Sequence, residues 1–219
     1  MMPKKDIAIV LLSGGLDSAT CLAIAKSDGF DCFALSFDYG QRSRSELNAA
    51  KKLGETYEVL EHKIIRLDIG QLGGSALTDL SIEIPKEETV GIPATYVPAR
   101  NTVFISYALA WAEVKKASAI YIGVNAVDYS GYPDCRPEYI KAVQNVVDLA
   151  TKAGVEGKKI KLKTPLISFT KAEIIKKGTG LGVNFADTVS CYQADFDGSA
   201  CGKCDSCRLR RNGFLDSGL

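Results

Sequence analysis

Histidine is almost missing from this chain: His62 is the one imidazole among 219 residues. A Cys–His nucleophile pair of glutaminase type therefore has a single imidazole to draw on. That imidazole falls in an apolar strand pattern, where a surface or satisfied side chain is the default reading. Net charge is also missing, since 27 Lys and Arg oppose 26 Asp and Glu. No global basic field draws in nucleic acid, so no nucleic-acid partner is expected. No apolar run approaches a membrane span, and no membrane partner is expected either. The N-terminal Met1-Met2-Pro3-Lys4-Lys5-Asp6 leaves no room for a cleavable signal peptide, so the expected location is cytoplasmic. Internal repeats and low-complexity tracts are absent. Two common nucleotide signatures are lacking as well. Gly-x-x-x-x-Gly-Lys-Ser/Thr would need a lysine after the first strand, and Gly-x-Gly-x-x-Gly needs a glycine spacing not found there.

The first strand pattern, Ile7-Ala8-Ile9-Val10-Leu11-Leu12, runs into Ser13-Gly14-Gly15-Leu16-Asp17-Ser18 and then the helical Ala19-Thr20-Cys21-Leu22-Ala23-Ile24-Ala25. A strand, a Gly-Gly turn and a helix start make an anion cradle. Glycine permits close backbone approach, first-turn N–H groups lack intrahelical partners, and the helix dipole favours negative charge. The bland alternative is a serine-rich helix cap.

Hydrophobic content of 46% and charged content of 24% are ordinary for a globular protein, and the length suits one α/β domain with a small appendage. Strand and helix patterns alternate, which predicts a parallel sheet with right-handed crossovers. Strands are expected at 31–37, 57–65, 119–124 and 160–167, and helices at 43–53, 100–116 and from Pro137 to Ala150. Pro137 suits a first-turn position, and Thr170-Lys171-Ala172-Glu173 is a capping box. The 100–116 helix is apolar nearly all round, which predicts burial against sheet or partner and hints at a homodimer. Residues 66–99, rich in Gly and Pro, read as a long irregular lid or binding loop. Ligands sit beyond the carboxyl ends of such strands, where 13–18, 37–42, 125–136 and 163–171 all fall.

Cysteine is crowded at one end: Cys191-x9-Cys201-x2-Cys204-x2-Cys207. Four thiolates complete a tetrahedral Zn²⁺ shell, with Gly198 and Gly202 suited to the turns and Lys203, Arg208, Arg210 and Arg211 offsetting the thiolate charge. An iron–sulfur cluster and Cys-x-x-Cys redox or persulfide chemistry are the rival readings. Structural zinc is preferred because the four sulfurs lie within 17 residues and no ligand need be open. Cys21 and Cys32 read as core, and Cys135 as a loop thiol.

The hexapeptide 13–18 resembles the PP-loop of the ATP-pyrophosphatase family, whose members split ATP between the α and β phosphates and adenylate a substrate oxygen. Three further stretches extend the resemblance: Phe37-Asp38-Tyr39-Gly40-Gln41-Arg42, Tyr96-Val97-Pro98-Ala99-Arg100-Asn101-Thr102, and Gly123 through Arg136. With the four cysteines in order, nearly all of 6–211 is similar to the 7-cyano-7-deazaguanine synthase family of queuosine biosynthesis, which often has glycine where Ala99 stands here.

That resemblance implies a Rossmann-like, adenine nucleotide alpha hydrolase-like parallel sheet. It implies a nucleotide-binding and catalytic domain over 1–185 and a C-terminal zinc-binding segment over 186–219. The implied enzyme is a carbon–nitrogen ligase using ATP, Mg²⁺, ammonia and 7-carboxy-7-deazaguanine, with free or separately delivered ammonia and no covalent nucleophile. Ser13, Gly14, Gly15 and Ser18 would hold pyrophosphate, and Asp17 would act through Mg²⁺. Leu12, Leu16, Ala19, Thr20 and Phe37 complete the implied ATP site. Asp17, Ser18, Arg100 and Lys171 are the implied catalytic set, with Lys163 beside Lys171 at the last cleft loop. The implied substrate site is Arg100, Asn101, Asn125, Asp128, Tyr129, Asp134 and Arg136. In it Asp128 and Asp134 would accept from a guanine-like edge, and Tyr129 or Tyr132 would stack on the ring. The alternatives are a PP-loop tRNA-modifying enzyme, either a sulfurtransferase or a lysidine-type ligase, and a non-catalytic nucleotide-binding or zinc-ribbon module.

Overall fold

A computed structural model describes residues 5–85, 91–127 and 131–219. The first apolar run forms β1 (Ile7–Leu11), at the middle of a parallel five-stranded sheet. The Gly-Gly turn leads into α1 (Leu16–Ser27), then β2 (Asp31–Asp38), α2 (Ser45–Thr56) and β3 (His62–Arg66). The chain crosses to the other side of β1 through α3 (Arg100–Lys115) and β4 (Ala119–Tyr121). It continues through α4 (Pro137–Ala150), the short α5 (Lys152–Val155), β5 (Lys161–Lys163), α6 (Lys171–Gly180) and α7 (Asp205–Ser217). The spatial order is β3-β2-β1-β4-β5. It reverses direction at β1, so a crevice opens between the carboxyl ends of β1 and β4.

Both sheet faces are covered, which is why the strands read as continuous apolar runs rather than alternating ones. In β1 the side chains of Ile9 and Leu11 point into one core and those of Ala8 and Val10 into the other. The first core takes Phe33 and Leu35 of β2, Ile105 and Trp111 of α3 and Val147 of α4. The second takes Leu22 of α1, Leu53 of α2 and Ile174 and Ile175 of α6. Each fully buried Leu or Ile contributes about 1.5–3 kcal/mol relative to exposure.

Helix boundaries follow local chemistry. Pro137 opens α4 as expected. At α6, Thr170 Oγ1 accepts from the Glu173 N–H at 3.3 Å, and Glu173 Oε2 accepts from the Thr170 N–H at 2.7 Å, the expected capping box. The strand expected at 57–65 is shorter, because Glu58 takes a left-handed φ of 47° and turns the chain before His62. The all-apolar α3 is buried on one side only: Ile105, Ala108, Trp111 and Ala112 are inside, while Tyr107 and Val114 face out. Residues 67–85 and 91–99 hold only one short 3-10 turn (Ile69–Leu72). They are nonetheless packed down, with Ala76, Leu77, Ile84 and Val97 buried and Arg42 donating to the Asp79 and Ile82 carbonyls at 2.7 and 2.5 Å.

Candidate active site

The turn after β1 is pre-shaped by its own serines. Ser18 Oγ accepts from the Gly14 N–H at 3.2 Å and donates to the Gly15 carbonyl at 2.9 Å, and Ser13 Oγ accepts from the Gly15 N–H at 3.3 Å. Gly14 has φ of +92°, and a Cβ there would lie 2.0 Å from the Glu46 carbonyl oxygen, so only glycine lets α2 close against the turn. From the far end of the sequence, the Val189 N–H donates to the Gly14 carbonyl at 3.0 Å and Ser190 Oγ accepts from the Leu16 N–H at 3.4 Å.

This turn forms one wall of a cleft of about 220 Å³ at the crevice between β1 and β4. Other walls are formed by Phe37 near the end of β2 and Tyr39 just past it, Arg100, Asn101 and Phe104 on α3, and Ile122 to Asn125 past β4. The connection between β3 and α3 contributes Leu77, and the C-terminal segment contributes Ser190, Tyr192, Ser206 and Arg210. Lys171 is 5% exposed and grips Asp17, with Nζ 2.8 and 2.9 Å from the two carboxylate oxygens. Its aliphatic stem is held by α7, since a Cβ on Gly213 would lie 2.4 Å from Lys171 Cγ. The carboxylate of Asp17 and the hydroxyls of Ser13 and Ser18 are hard oxygen donors at one wall, a set that fits Mg²⁺ alongside phosphates.

Arg100 donates to Tyr39 OH at 3.3 Å and lies over the Tyr39 and Phe104 rings at 5.7 and 5.8 Å. Burial opposes its charge, but the neighbouring Tyr39, Tyr132 and Asp134 hold it protonated. Its Nε is buried with no partner among the described residues. Such an unpaired guanidinium donor suits an incoming anion. Burial raises the Tyr39 hydroxyl and pushes the Cys135 thiol up to about 12. Burial also pushes the Glu46 carboxyl up to about 8, with Arg100 acting against it.

The four C-terminal cysteines converge as expected. Their sulfurs all lie within 4.8 Å of one another, and three of the pairs stand at 3.5, 3.9 and 4.0 Å. A tetrahedral ion with metal–sulfur bonds of about 2.3 Å spaces its ligands about 3.8 Å apart, so the donor set fits a metal. The Gln193 and Cys201 N–H groups donate to Cys191 Sγ, and those of Lys203 and Cys204 to Cys201 Sγ. Against burial, which raises it, the Lys203 and Cys204 amides bring the Cys201 thiol down to about 7. The cluster sits at the start of α7, whose Arg210 donates to Thr188 Oγ1 and the Phe185 carbonyl, both at 2.7 Å, and to Ser190 Oγ at 3.2 Å.

The structure gathers most of the expected residues. Leu12, Ser13, Gly15, Leu16, Asp17, Ser18, Phe37, Arg100, Asn101, Asn125 and Lys171 line the cleft. Asp128 and Tyr129 lie outside the described residues. Several expectations need correction. Ala19 and Thr20 are fully buried beneath the turn, and Thr20 Oγ1 donates to the Leu16 carbonyl, so both side chains support α1 instead of lining the cleft. Gly14 shapes the turn from behind. Asp134 accepts from the Asn101 N–H at 3.0 Å, because a carboxylate 5% exposed needs donors and the first turn of α3 has one to spare. Arg136 donates to the Pro133 carbonyl at 3.2 Å and caps α4 away from the cleft. Lys163 pairs with Asp28 at 3.2 Å and Tyr121 OH at 2.7 Å, not with the cleft. Arg210 is a counter-charge to the Cys207 thiolate, as expected, and also lines the cleft. Glu46, Leu77, Ser190 and Ser206 were not anticipated. Each comes from a segment whose approach to the turn is purely tertiary, and no local pattern marks them.

The family model for the queuosine biosynthesis protein QueC matches residues 7–218. Among curated proteins, the chain is 63% identical over 212 residues to a 7-cyano-7-deazaguanine synthase of Cellvibrio japonicus, covering 97% of this chain and 94% of that one. It is 63% identical over 210 residues to the namesake of Saccharophagus degradans, covering 96% and 93%. Solved structures with the same fold include an NMN synthetase from Francisella tularensis, with a TM-score of 0.50, 18% identity and coverage of 99% of this chain and 78% of that one. Another is a 4-thiouridine synthetase–RNA complex with bound ATP, with a TM-score of 0.52, 18% identity and coverage of 96% and 53%.

Proposed function

This chain belongs to the QueC family of queuosine biosynthesis proteins, and from that membership we propose that it is an ATP-dependent carbon–nitrogen ligase converting 7-carboxy-7-deazaguanine and ammonia to 7-cyano-7-deazaguanine. A carboxylate is a poor electrophile, so one oxygen must first become a leaving group. The carboxylate attacks the α-phosphorus of ATP, pyrophosphate departs, and ammonia displaces AMP to give an amide. The amide oxygen then attacks a second ATP in the same way, and loss of AMP leaves the nitrile.

The observation that carries this reading is the serine-braced turn with Asp17 and Lys171 beside it, facing Arg100 across one cleft. Lys171, beside the turn, receives the charge growing on pyrophosphate, and a preorganised donor does so at little reorganisation cost. Asp17, Ser13 and Ser18 would hold Mg²⁺, which neutralises phosphate charge when bound. Arg100 meets the substrate carboxylate or the α-phosphate with its free Nε. Asn101 and Asn125 would border the substrate, their amides held by the Asp134 and Leu166 carbonyls, and Phe37 near the end of β2 would mark the adenine end.

The four cysteines would hold structural Zn²⁺, in a segment over 186–219 appended to a catalytic domain over 1–185. We further propose a homodimer through the outward apolar side of α3, a cytoplasmic enzyme, free or separately delivered ammonia as nitrogen donor and no nucleic-acid partner. Purified protein with ATP, Mg²⁺, ammonium and the carboxy-deazaguanine is expected to yield the nitrile with AMP. RNA-dependent AMP release without nitrile would point instead to a tRNA-modifying enzyme.

A further inference from the structure

Ammonia brings three N–H bonds into this reaction and the nitrile keeps none, so three protons must leave the nitrogen. The first goes as ammonia displaces AMP, the second as the amide oxygen bonds to phosphorus and C=N forms, and the third as the C–O bond breaks to AMP and C≡N forms. Each departure needs an acceptor at the reacting carbon, and positioned acceptors of this kind are general bases.

The cleft offers few candidates. His62 is not there: its Nε2 lies 2.7 Å from Ser36 Oγ at the foot of β3. Lys171, Arg100 and Arg210 are cations, and Tyr39 and Cys135 are held protonated by burial. Asp17 is bound on both oxygens by Lys171. That leaves Glu46. It sits in the first turn of α2, its backbone carbonyl packed against Gly14 of the phosphate turn, and its side chain lines the same cleft as Arg100. Among the described residues its side chain makes no hydrogen bond or ion pair, so its carboxyl has no structural partner to hold. Resting on the ligase reading above, we propose that the Glu46 carboxylate is the general base that takes the protons from nitrogen, returning each to solvent before the next leaves.

Burial sets its working range. Burial pushes the carboxyl up to about 8, with Arg100 from α3 acting against it. Tyr39, just past β2, also feels the Glu46 charge, and Asp17 of α1 and Lys171 of α6 neutralise one another in the same cleft. The active form is the carboxylate, so the rate should rise with pH and level off above about 8.

The test starts from the amide, so that the ammonia–ammonium balance plays no part. Wild-type conversion of amide to nitrile is followed from pH 6 to 9 and is expected to rise about tenfold per pH unit below the plateau. Glu46→Gln is then compared in two assays, carboxylate-dependent pyrophosphate–ATP exchange without ammonia and amide-to-nitrile turnover. The proposal expects nitrile formation to fall roughly 10²–10⁴-fold, far more than exchange falls, with the pH dependence gone. Equal losses in both assays with a raised KM for the carboxylate would make Glu46 a ring-recognition residue and overturn the proposal. So would a flat wild-type profile, which needs no folded variant. If wild-type enzyme forms no AMP from either compound, the ligase reading itself fails, a result distinct from any of these.

Discussion

At Gly14 two demands meet in one residue. Its φ of +92° is left-handed, and a Cβ would collide with the Glu46 carbonyl oxygen at 2.0 Å. Gly29 shares the positive φ, at +89°, but has nothing within 4 Å of a Cβ. Gly29→Ala should therefore cost only the left-handed penalty, about 1–2 kcal/mol, and leave turnover untouched. Gly14→Ala should add overpacking of roughly 1–3 kcal/mol and abolish AMP formation. Urea denaturation alongside the AMP assay separates the two, and equal behaviour would remove the close approach from the account. Asp17→Ala should abolish AMP formation while the far-UV spectrum stays native, because its partner Lys171 is also anchored by packing under Gly213. Unchanged turnover would take Asp17 out of the reaction.

Among the elements, α4 and α6 were legible because their starts carry chemistry of their own, Pro137 and the Thr170–Glu173 capping box. The starting point of β3 was not, because Tyr57 and Val59 look like strand residues and only the left-handed Glu58 stops them from being so. Nor was α7 read as a helix: Asp205-Ser206-Cys207-Arg208 has no apolar stripe, and the helix gains its support by lying on α6, where Gly213 admits the stem of Lys171. The cysteine spacing was fully legible, since ligand convergence is a local matter. Its link to the cleft was not, because it runs through Arg210, Ser190 and the Val189–Gly14 bond. Cys204→Ser should empty the metal site and loosen this whole segment, since metal affinity is folding free energy. Loss of about 2 kcal/mol would lower Tm by about 4–8 °C in a chain of this size. Elemental analysis should find zinc in the wild type, and iron with sulfide would replace the zinc assignment.

Across the whole molecule, the sheet order reverses at β1 and brings together five stretches of chain that are distant in sequence. The Gly-Gly turn, the end of β2, the start of α3, the end of β4 and the C-terminal segment meet in one cleft. Family membership and the alternation of strands and helices were readable along the chain, but the convergence was not. Glu46 shows why: one acidic residue in a helix's first turn looks like ordinary dipole compensation until the fold puts it beside Gly14. Asp134, a polar loop residue expected at the substrate, has a second duty no local pattern marks: it accepts from the Asn101 N–H at the start of α3.

The central claim is that the cleft transfers AMP to an oxygen of the substrate, and the fate of that oxygen tests it most directly. With both carboxylate oxygens of 7-carboxy-7-deazaguanine labelled with ¹⁸O, mass spectrometry should find one labelled oxygen in each AMP formed and no label left in the nitrile. Label appearing in inorganic phosphate, with ADP as the nucleotide product, would contradict the account.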